Sequence, residues 1–118
     1  MEATETKSAK EIVQAAWNKR PLIIPGPCSA ETEEQVLATA ERLAKTGKVD
    51  MIRAGIWKPR TRPGSFEGIG TKGLAWMQQA RKLTGLPVTV EVATGKQVED
   101  ALHFDVDVLW IGARTTVN

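Results

Sequence analysis

Residues 87–112 read PVTVEVATGKQVEDALHFDVDVLWIG, a pattern of strand, short helix and strand. Pro87–Val92 is an apolar, β-branched run of the length typical of a buried strand. A short helix is predicted near 96–103, and a second strand over Val106–Ile111 that Gly112 ends. Two strands joined by a helix usually lie parallel with a right-handed crossover, so this unit predicts a parallel sheet.

The same alternation extends towards the start of the chain. A strand is predicted at Leu22–Ile24, where the Pro-Gly-Pro at 25–27 stops it, and another at Val49–Ala54. Together with the two later strands, these segments predict a βα repeat with a strand near 22, 50, 87 and 106. The fold class is therefore α/β, and two architectures fit it: an open doubly wound sheet or part of a (β/α)8 barrel.

Helix signals fall between these strands and before the first one. Ser8 and Glu11 form a capping box ahead of a helix predicted at 9–19, and Thr32 with Gln35 forms a second one. The helix behind Thr32 is expected to end near Gly47, a residue suited to the position after a helix C-cap. A third helix is predicted from Lys72 to Leu83, closed by Gly85.

The composition excludes several classes of protein. The 118 residues match one small domain, with a formal net charge of only +2, so a strongly basic nucleic-acid binder is not expected. A single cysteine excludes an internal disulfide and any metal site built from several cysteines. Neither a signal peptide nor a membrane span is visible, and the chain is interpreted as cytoplasmic with no membrane or nucleic-acid partner.

Unusual polar residues lie where the predicted strands end. Cys28 follows the first strand, Arg53 ends the second, Glu91 lies near the end of the third and Arg114 follows the fourth. The carboxyl ends of parallel strands line one face, which is where α/β proteins place their active sites.

A long Gly- and Pro-rich loop at 55–70 adds Lys58, Arg60 and Arg62 to this face. The residues alone predict an anion-binding mouth for phosphates or carboxylates. The alternative for Cys28 is a small buried core residue, and for the loop cations a solvated surface. The first strand-to-helix turn lacks G-x-G-x-x-G, which weighs against a dinucleotide-binding site.

Four motifs extend this interpretation: Gly-Pro-Cys-Ser at 26–29, Arg53-Ala-Gly-Ile-Trp-Lys-Pro-Arg-Thr61, Glu91-Val92 and Ile-Gly-Ala-Arg at 111–114. In this order they resemble the type I family of 3-deoxy-D-arabino-heptulosonate 7-phosphate (DAHP) synthases, transferases at the first step of the shikimate pathway towards chorismate and the aromatic amino acids. The resemblance implies a (β/α)8 barrel, with residues 1–20 as a lead-in helix and 21–118 as about the first four βα units.

The resemblance also implies the substrates, phosphoenolpyruvate and erythrose 4-phosphate. Arg53 and Lys58 would bind phosphoenolpyruvate, and Glu91 would support that site. Lys58 would also be the catalytic proton donor to the aldehyde oxygen. The other implied substrate ligands are Arg60 and Thr61 for erythrose 4-phosphate, and the Ala113 N–H with Arg114 for the phosphate of phosphoenolpyruvate.

A divalent metal (Mn, Fe, Zn or Co) is the implied cofactor, with Cys28 as one ligand. The family's other ligands, a His, a Glu and an Asp, have no counterpart in this chain, and His103 is interpreted as structural. Barrels of this kind need roughly 250 residues, so the chain resembles the N-terminal half and is expected to be inactive alone. The full-length protein is expected to be a homo-oligomer.

Three alternatives stay open beside the synthase. One is a non-catalytic half-barrel that binds phosphate ligands or associates with itself or another chain. The second is a 3-deoxy-octulosonate 8-phosphate synthase, against which the Lys58–Thr61 motif KPRT argues. The third is a doubly wound nucleotide binder.

Overall fold

The computed structural model describes residues 10, 11, 14, 21–57 and 68–116, with the backbone alone for Arg114. Its elements follow one another in the order α1 (Glu33–Lys45), β1 (Ile52–Arg53), α2 (Thr71–Thr84), β2 (Val88–Glu91), α3 (Gly95–His103), β3 (Val108–Trp110) and α4 (Ala113–Thr116). The predicted alternation is confirmed from α1 to β3, whereas α4 was not predicted. Lys10, Glu11 and Gln14 are helical, and the rest of the helix predicted at 9–19 lies outside the described residues.

The three strands form one parallel sheet in the order β1-β2-β3. Arg53 pairs with Thr89, and Glu91 pairs with Trp110. All three strands therefore end at the same edge, as the βα alternation predicts. We call this the carboxyl edge, defined by Arg53, Glu91 and Trp110.

The strand predicted at Leu22–Ile24 is wrong as stated, although the segment does run beside β1. Arg53 N donates to Pro25 O at 2.9 Å, and Gly55 N donates to Pro27 O at 3.2 Å. In a parallel ladder the return bonds would come from the N–H groups of residues 23, 25 and 27. Ile23 N donates instead to Asp50 Oδ2 at 2.8 Å, and Pro25 and Pro27 have no N–H. Over residues 22–27 the backbone hydrogen bonds with the β1 segment consequently run only towards residues 22–27, and no regular strand forms there.

Local signals determine the helix ends. Thr32 Oγ1 accepts a hydrogen bond from Gln35 N at 3.0 Å, which confirms the predicted capping box of α1. Gly47 follows the C-cap with a φ of 70°, and Gly85 ends α2 with a φ of 74°. Both values are left-handed, a conformation that costs glycine little because it has no Cβ.

One face of the sheet packs against the helices. Ile52, Val88 and Val90 are essentially inaccessible and belong to the core, together with Val36 of α1 and Leu74 of α2. Because successive side chains of a strand alternate between faces, Arg53, Thr89 and Glu91 lie on the opposite face. The sheet therefore has an apolar helix-covered side and a side that carries the polar candidates.

Asp107 joins the opposite end of the sheet to α2. Its Oδ2 accepts from Arg81 Nε at 2.9 Å and from Val88 N at 2.9 Å, and its Oδ1 accepts from the Arg81 guanidinium at 3.1 Å. The hydrogen bond with Asp107 raises the pKa of the Arg81 guanidinium. This carboxylate connects β2, β3 and α2 at the end away from the candidate site.

Large apolar side chains are exposed beside the carboxyl edge. Trp110 is 40% exposed and Ile111 is 59% exposed, and β3 is the outer strand of the sheet that the described residues form. Exposed strand edges and apolar side chains favour association with another chain. Among the described residues, no helix is long and apolar enough to cross a bilayer.

We expect the 118-residue chain to self-associate when it is produced alone, because burial of Trp110 and Ile111 removes apolar surface from water. Sedimentation velocity over a range of concentrations would measure this. A Trp110→Glu/Ile111→Glu variant should shift the chain towards monomer, while Leu83→Glu, at a similarly exposed residue of α2, should not. A monodisperse wild-type monomer at all concentrations would contradict the expectation.

Candidate functional site

Three segments meet at the carboxyl edge. β1 ends at Arg53, β2 ends at Glu91, and the chain after β3 turns at Gly112 into α4. Neighbouring strands lie about 5 Å apart, so the side chains at these strand ends are near one another. Arg53 and Glu91 are both half-buried on the same face of the sheet, where a ligand can reach them. An arginine beside a partly covered carboxylate suits a small anion that also carries a hydrogen-bond donor or a counter-cation.

Glu91 lies against the turn that follows β3. A Cβ built on Gly112 would be 2.5 Å from Glu91 Oε2 and 2.9 Å from its Cδ. Gly112 therefore provides the space in which the carboxylate lies, next to the first residue of α4, Ala113. The sequence indicated Glu91 and Ala113 as candidate site residues. It did not show that Gly112 determines where the Glu91 carboxylate can lie.

This contact yields a prediction for Gly112→Ala. The new methyl group would displace the Glu91 carboxylate, which is the end of a flexible side chain, so stability should fall by less than about 1 kcal/mol. Ligand binding that depends on Glu91 should weaken by about tenfold or more. Urea unfolding and phosphoenolpyruvate titration would measure the two effects separately.

Gly95→Ala is the matched control, because a Cβ there meets nothing within 4 Å. That variant should change neither stability nor ligand binding appreciably. Unchanged phosphoenolpyruvate binding by Gly112→Ala would show that the position of Glu91 is unimportant for the ligand.

The segment that carries Cys28 is attached to the carboxyl end of β1. Gly26 lies so close to the backbone carbonyl of Arg53 that any Cβ at this position would collide with it. Two residues further on, Cys28 is exposed in the turn before α1. The structure thus brings Cys28 to the same edge as Arg53, and its exposure excludes the alternative of a buried core cysteine.

The segment that carries Lys58, Arg60 and Thr61, and also Arg62, lies outside the described residues. Its two ends are described and lie side by side. Gly70 N donates to Ile56 O at 3.0 Å, and a Cβ on Gly68 would be 2.9 Å from the Cα of Trp57. The described residues on either side of this segment therefore lie together, just after the carboxyl end of β1.

Thr89 is a polar residue of the same face to which the sequence analysis assigned no role. It is 2% exposed, and in the described part of the chain its buried hydroxyl has no hydrogen-bond partner. The alternation of the Val-Thr-Val-Glu strand signals that Thr89 shares a face with Glu91. A buried hydroxyl of this kind is uncommon and lies directly beside Arg53 in the register of the sheet.

The described residues do not form a complete metal site. They contain no group of three or more His, Cys, Asp and Glu side chains that could hold a metal ion. Cys28 can supply one thiolate, and a divalent cation with one protein ligand has no defined geometry. These residues therefore do not fit a complete metal centre.

Fold and site together define the class: a parallel α/β protein with an arginine, a carboxylate and an exposed thiol at the carboxyl ends of its strands. Comparison with known proteins narrows the class. The model of the DAHP synthetase I family matches residues 4–118. The chain belongs to this family, as the four sequence motifs indicate.

A curated relative is the phospho-2-dehydro-3-deoxyheptonate aldolase of Thermotoga maritima, 38% identical over 96 residues. The match covers 81% of this chain and 28% of that protein. The chain therefore spans little more than a quarter of the length of this relative.

Two solved structures have the same fold over this region. The crystal structure of the DAHP synthase from Thermotoga maritima has a TM-score of 0.71 at 39% identity, covering 79% of this chain and 26% of that one. A truncated form of the synthase from the same organism has a TM-score of 0.65 at 34% identity, covering 79% of this chain and 32% of that one.

Proposed function

We propose that this chain supplies the first substrate-binding segments of a DAHP synthase, which condenses phosphoenolpyruvate with erythrose 4-phosphate. The observation that carries the proposal is the presence of Arg53, Glu91 and Cys28 at one carboxyl edge in a member of this family. We also propose that residues 1–20 lead into a (β/α)8 barrel and that residues 21–118 form about its first half. Barrels of this class bind their substrates at the carboxyl ends of the strands.

The reaction joins two phosphorylated substrates. C3 of phosphoenolpyruvate attacks the aldehyde carbon of erythrose 4-phosphate, and water attacks C2, after which the phosphate group leaves. Both substrates are anions that repel each other, so the site needs several cations to hold them together. Fixed orientation of two bound reactants can lower the barrier by up to about 7–11 kcal/mol.

The residues have distinct proposed roles. The Arg53 guanidinium would pair with phosphoenolpyruvate by a two-pronged hydrogen bond, and Glu91 would orient the cations around it. Lys58 would donate a proton to the aldehyde oxygen as the new carbon–carbon bond forms. The remaining proposed substrate ligands are Arg60 and Thr61 for erythrose 4-phosphate, and the Ala113 N–H and Arg114 for the phosphate of phosphoenolpyruvate.

Cys28 is proposed as one ligand of a divalent metal ion. Since the described residues contain no further ligands grouped with it, no step of the reaction is assigned to the metal. We propose a cytoplasmic location and a homo-oligomeric full-length enzyme, without nucleic-acid or membrane partners.

A chimera tests the proposed function. The 96 residues of this chain that match the Thermotoga maritima enzyme would replace the corresponding segment of that enzyme. Phosphate release from phosphoenolpyruvate and erythrose 4-phosphate with added Mn²⁺ would be measured, and circular dichroism would report folding. We expect turnover by the chimera and none by the 118-residue chain alone. A folded chimera without turnover would count against the proposal.

Ligand titration separates the synthase from a nucleotide binder. The 118-residue chain should bind phosphoenolpyruvate measurably, in competition with inorganic phosphate, and should not bind NAD or ATP. Tighter binding of either nucleotide than of phosphoenolpyruvate would favour a doubly wound nucleotide-binding protein instead.

A further inference from the structure

Gln35, in the first turn of α1, makes three hydrogen bonds to the backbone of residues 29–32, the turn that follows Cys28. Its Oε1 accepts from Glu31 N at 2.7 Å and from Thr32 N at 3.4 Å. Its Nε2 donates to Ser29 O at 3.1 Å. An ordinary capping box reaches back only to the N-cap residue, here Thr32. The amide of Gln35 therefore extends the box across the residues next to Cys28.

The other side of this turn is held by the sheet. Gly55 N donates to Pro27 O at 3.2 Å, and Ala30 N donates to Gly55 O at 2.9 Å. Cys28 thus lies between two residues that are bonded to the segment following Arg53. Gln35 holds the turn from the helix side. Its bonds to Ser29 O and Glu31 N lie on either side of Ala30, the residue that bonds to Gly55.

The turn after Glu91 contains a similar arrangement with one difference. Thr94 Oγ1 accepts from Gln97 N at 3.1 Å, and Gln97 Oε1 accepts from Ala93 N at 2.7 Å. Both turns therefore use the sequence Thr-x-x-Gln, and in both the glutamine oxygen reaches the residue before the N-cap. The difference is that the Gln35 amide nitrogen also donates to a carbonyl of its turn, that of Ser29.

We propose that Gln35 is a positioning residue that fixes the orientation of the Cys28 turn against the carboxyl end of β1. The functional importance of this orientation rests on the proposed synthase, in which the Cys28 thiol serves the site. The two bonds do not depend on that function: the acceptor bond to Glu31 N caps the helix, and the donor bond to Ser29 O orients the turn. Gln35 would act through the turn and not by contact with a substrate.

Alkylation of Cys28 provides a direct test, because it is the only cysteine in the sequence. The rate of reaction with iodoacetamide would be measured over a pH series at one protein concentration, which gives the rate constant per thiolate. Gln35→Ala should raise the rate by about threefold or more, since a released turn exposes the thiol in more orientations. Exchange of the Ala30 amide hydrogen should also accelerate, by about fivefold, as the turn opens more often.

Gln35→Glu separates positioning from capping. A glutamate at this position can still accept from Glu31 N, and its charge is favourable in the first turn of a helix, so the stability of α1 should be retained. It cannot donate to Ser29 O, and its oxygen would repel that carbonyl. The rate constant of alkylation per Cys28 thiolate should therefore rise as it does in Gln35→Ala, without loss of stability in urea unfolding. The added negative charge lowers only the fraction of thiolate, which the per-thiolate rate constant does not contain.

Gln97→Ala is the matched control, because it removes the similar side chain from the turn after β2 and leaves the bonds of the Cys28 turn in place. Its alkylation rate should equal that of the wild type. Equal acceleration in Gln35→Ala and Gln97→Ala would reduce the effect to general destabilisation and overturn the proposal. An unchanged per-thiolate rate constant in Gln35→Glu would overturn it as well. If the Gln35 variants are alkylated faster but the wild-type chain fails to bind phosphoenolpyruvate, the positioning role of Gln35 stands and the result counts against the synthase.

Discussion

Asp107→Ala should lower the free energy of unfolding by about 2–3 kcal/mol, because it removes the acceptor of the Val88 N–H and leaves this donor without its partner. Val88 is inaccessible to solvent and the Asp107 side chain is only 13% exposed, so water reaches the vacated position poorly. The Arg81 guanidinium, whose side chain is 33% exposed, can turn towards water and adds less to the loss.

Urea unfolding at fixed protein concentration, followed by tryptophan fluorescence, would measure the change. In thermal unfolding the same loss corresponds to a decrease in Tm of about 10 °C. Asp107→Asn should be milder, since its amide oxygen can still accept from Val88 N.

The control for this prediction is Asp100→Ala on α3. Asp100 pairs with Lys96 at 3.0 Å across one helical turn, and the lysine side chain is 76% exposed. Exposed pairs of this kind contribute little to stability, so this variant should unfold like the wild type. If Asp107→Ala were as stable as Asp100→Ala, the Asp107 carboxylate would not connect the sheet to α2 as described.

Arg53→Ala should weaken phosphoenolpyruvate binding by about 10- to 100-fold, the cost of losing charge-assisted hydrogen bonds to a bound anion. Arg53 ends β1, and the guanidinium is on the side of the sheet that the helices leave open. Arg53→Lys should recover only part of the affinity, because an ammonium group cannot form the two-pronged bond of a guanidinium. Calorimetric titration of the chain and the KM of the chimera for phosphoenolpyruvate would both report this loss.

Arg42→Ala is the matched control, since Arg42 is an exposed arginine in the last turn of α1. It removes the same charge from the protein without touching the carboxyl edge. Equal loss of affinity in the two variants would indicate that general electrostatic attraction, and not a specific contact with Arg53, brings the ligand to the chain.

Much of the fold could be predicted because its signals are local. Thr32 with Gln35 starts α1, and Gly85 ends α2, through bonds and backbone angles within a few residues. The strand at Leu22–Ile24 was wrongly predicted, because its apolar run does not reveal that the Ile23 N–H bonds to the Asp50 carboxylate 27 residues away. The prolines that follow have no N–H with which to bond back to β1. The short α4 gave no periodic signal, since four residues are about one helical turn.

The candidate site was predictable in part for the same reason. The alternation of strands and helices indicates that Arg53 and Glu91 share an edge, and the resemblance to the DAHP synthases supplies their proposed roles. The contact between Glu91 and Gly112 joins residues 21 positions apart by the numbering of the chain, and no spacing rule connects them. The bond from Gln35 to Ser29 depends on the rotamer of one side chain, which a capping pattern does not specify.

The sequence by itself determined the α/β class, the ends of α1, α2 and α3, and the family, because caps, periodicity and motifs are properties of neighbouring residues. Only the tertiary structure decided that the Cys28 turn lies against Arg53, that Gly112 leaves room for the Glu91 carboxylate, and that Asp107 joins two strands to α2. Those contacts arise when the sheet closes against the helices and brings distant segments within hydrogen-bond distance.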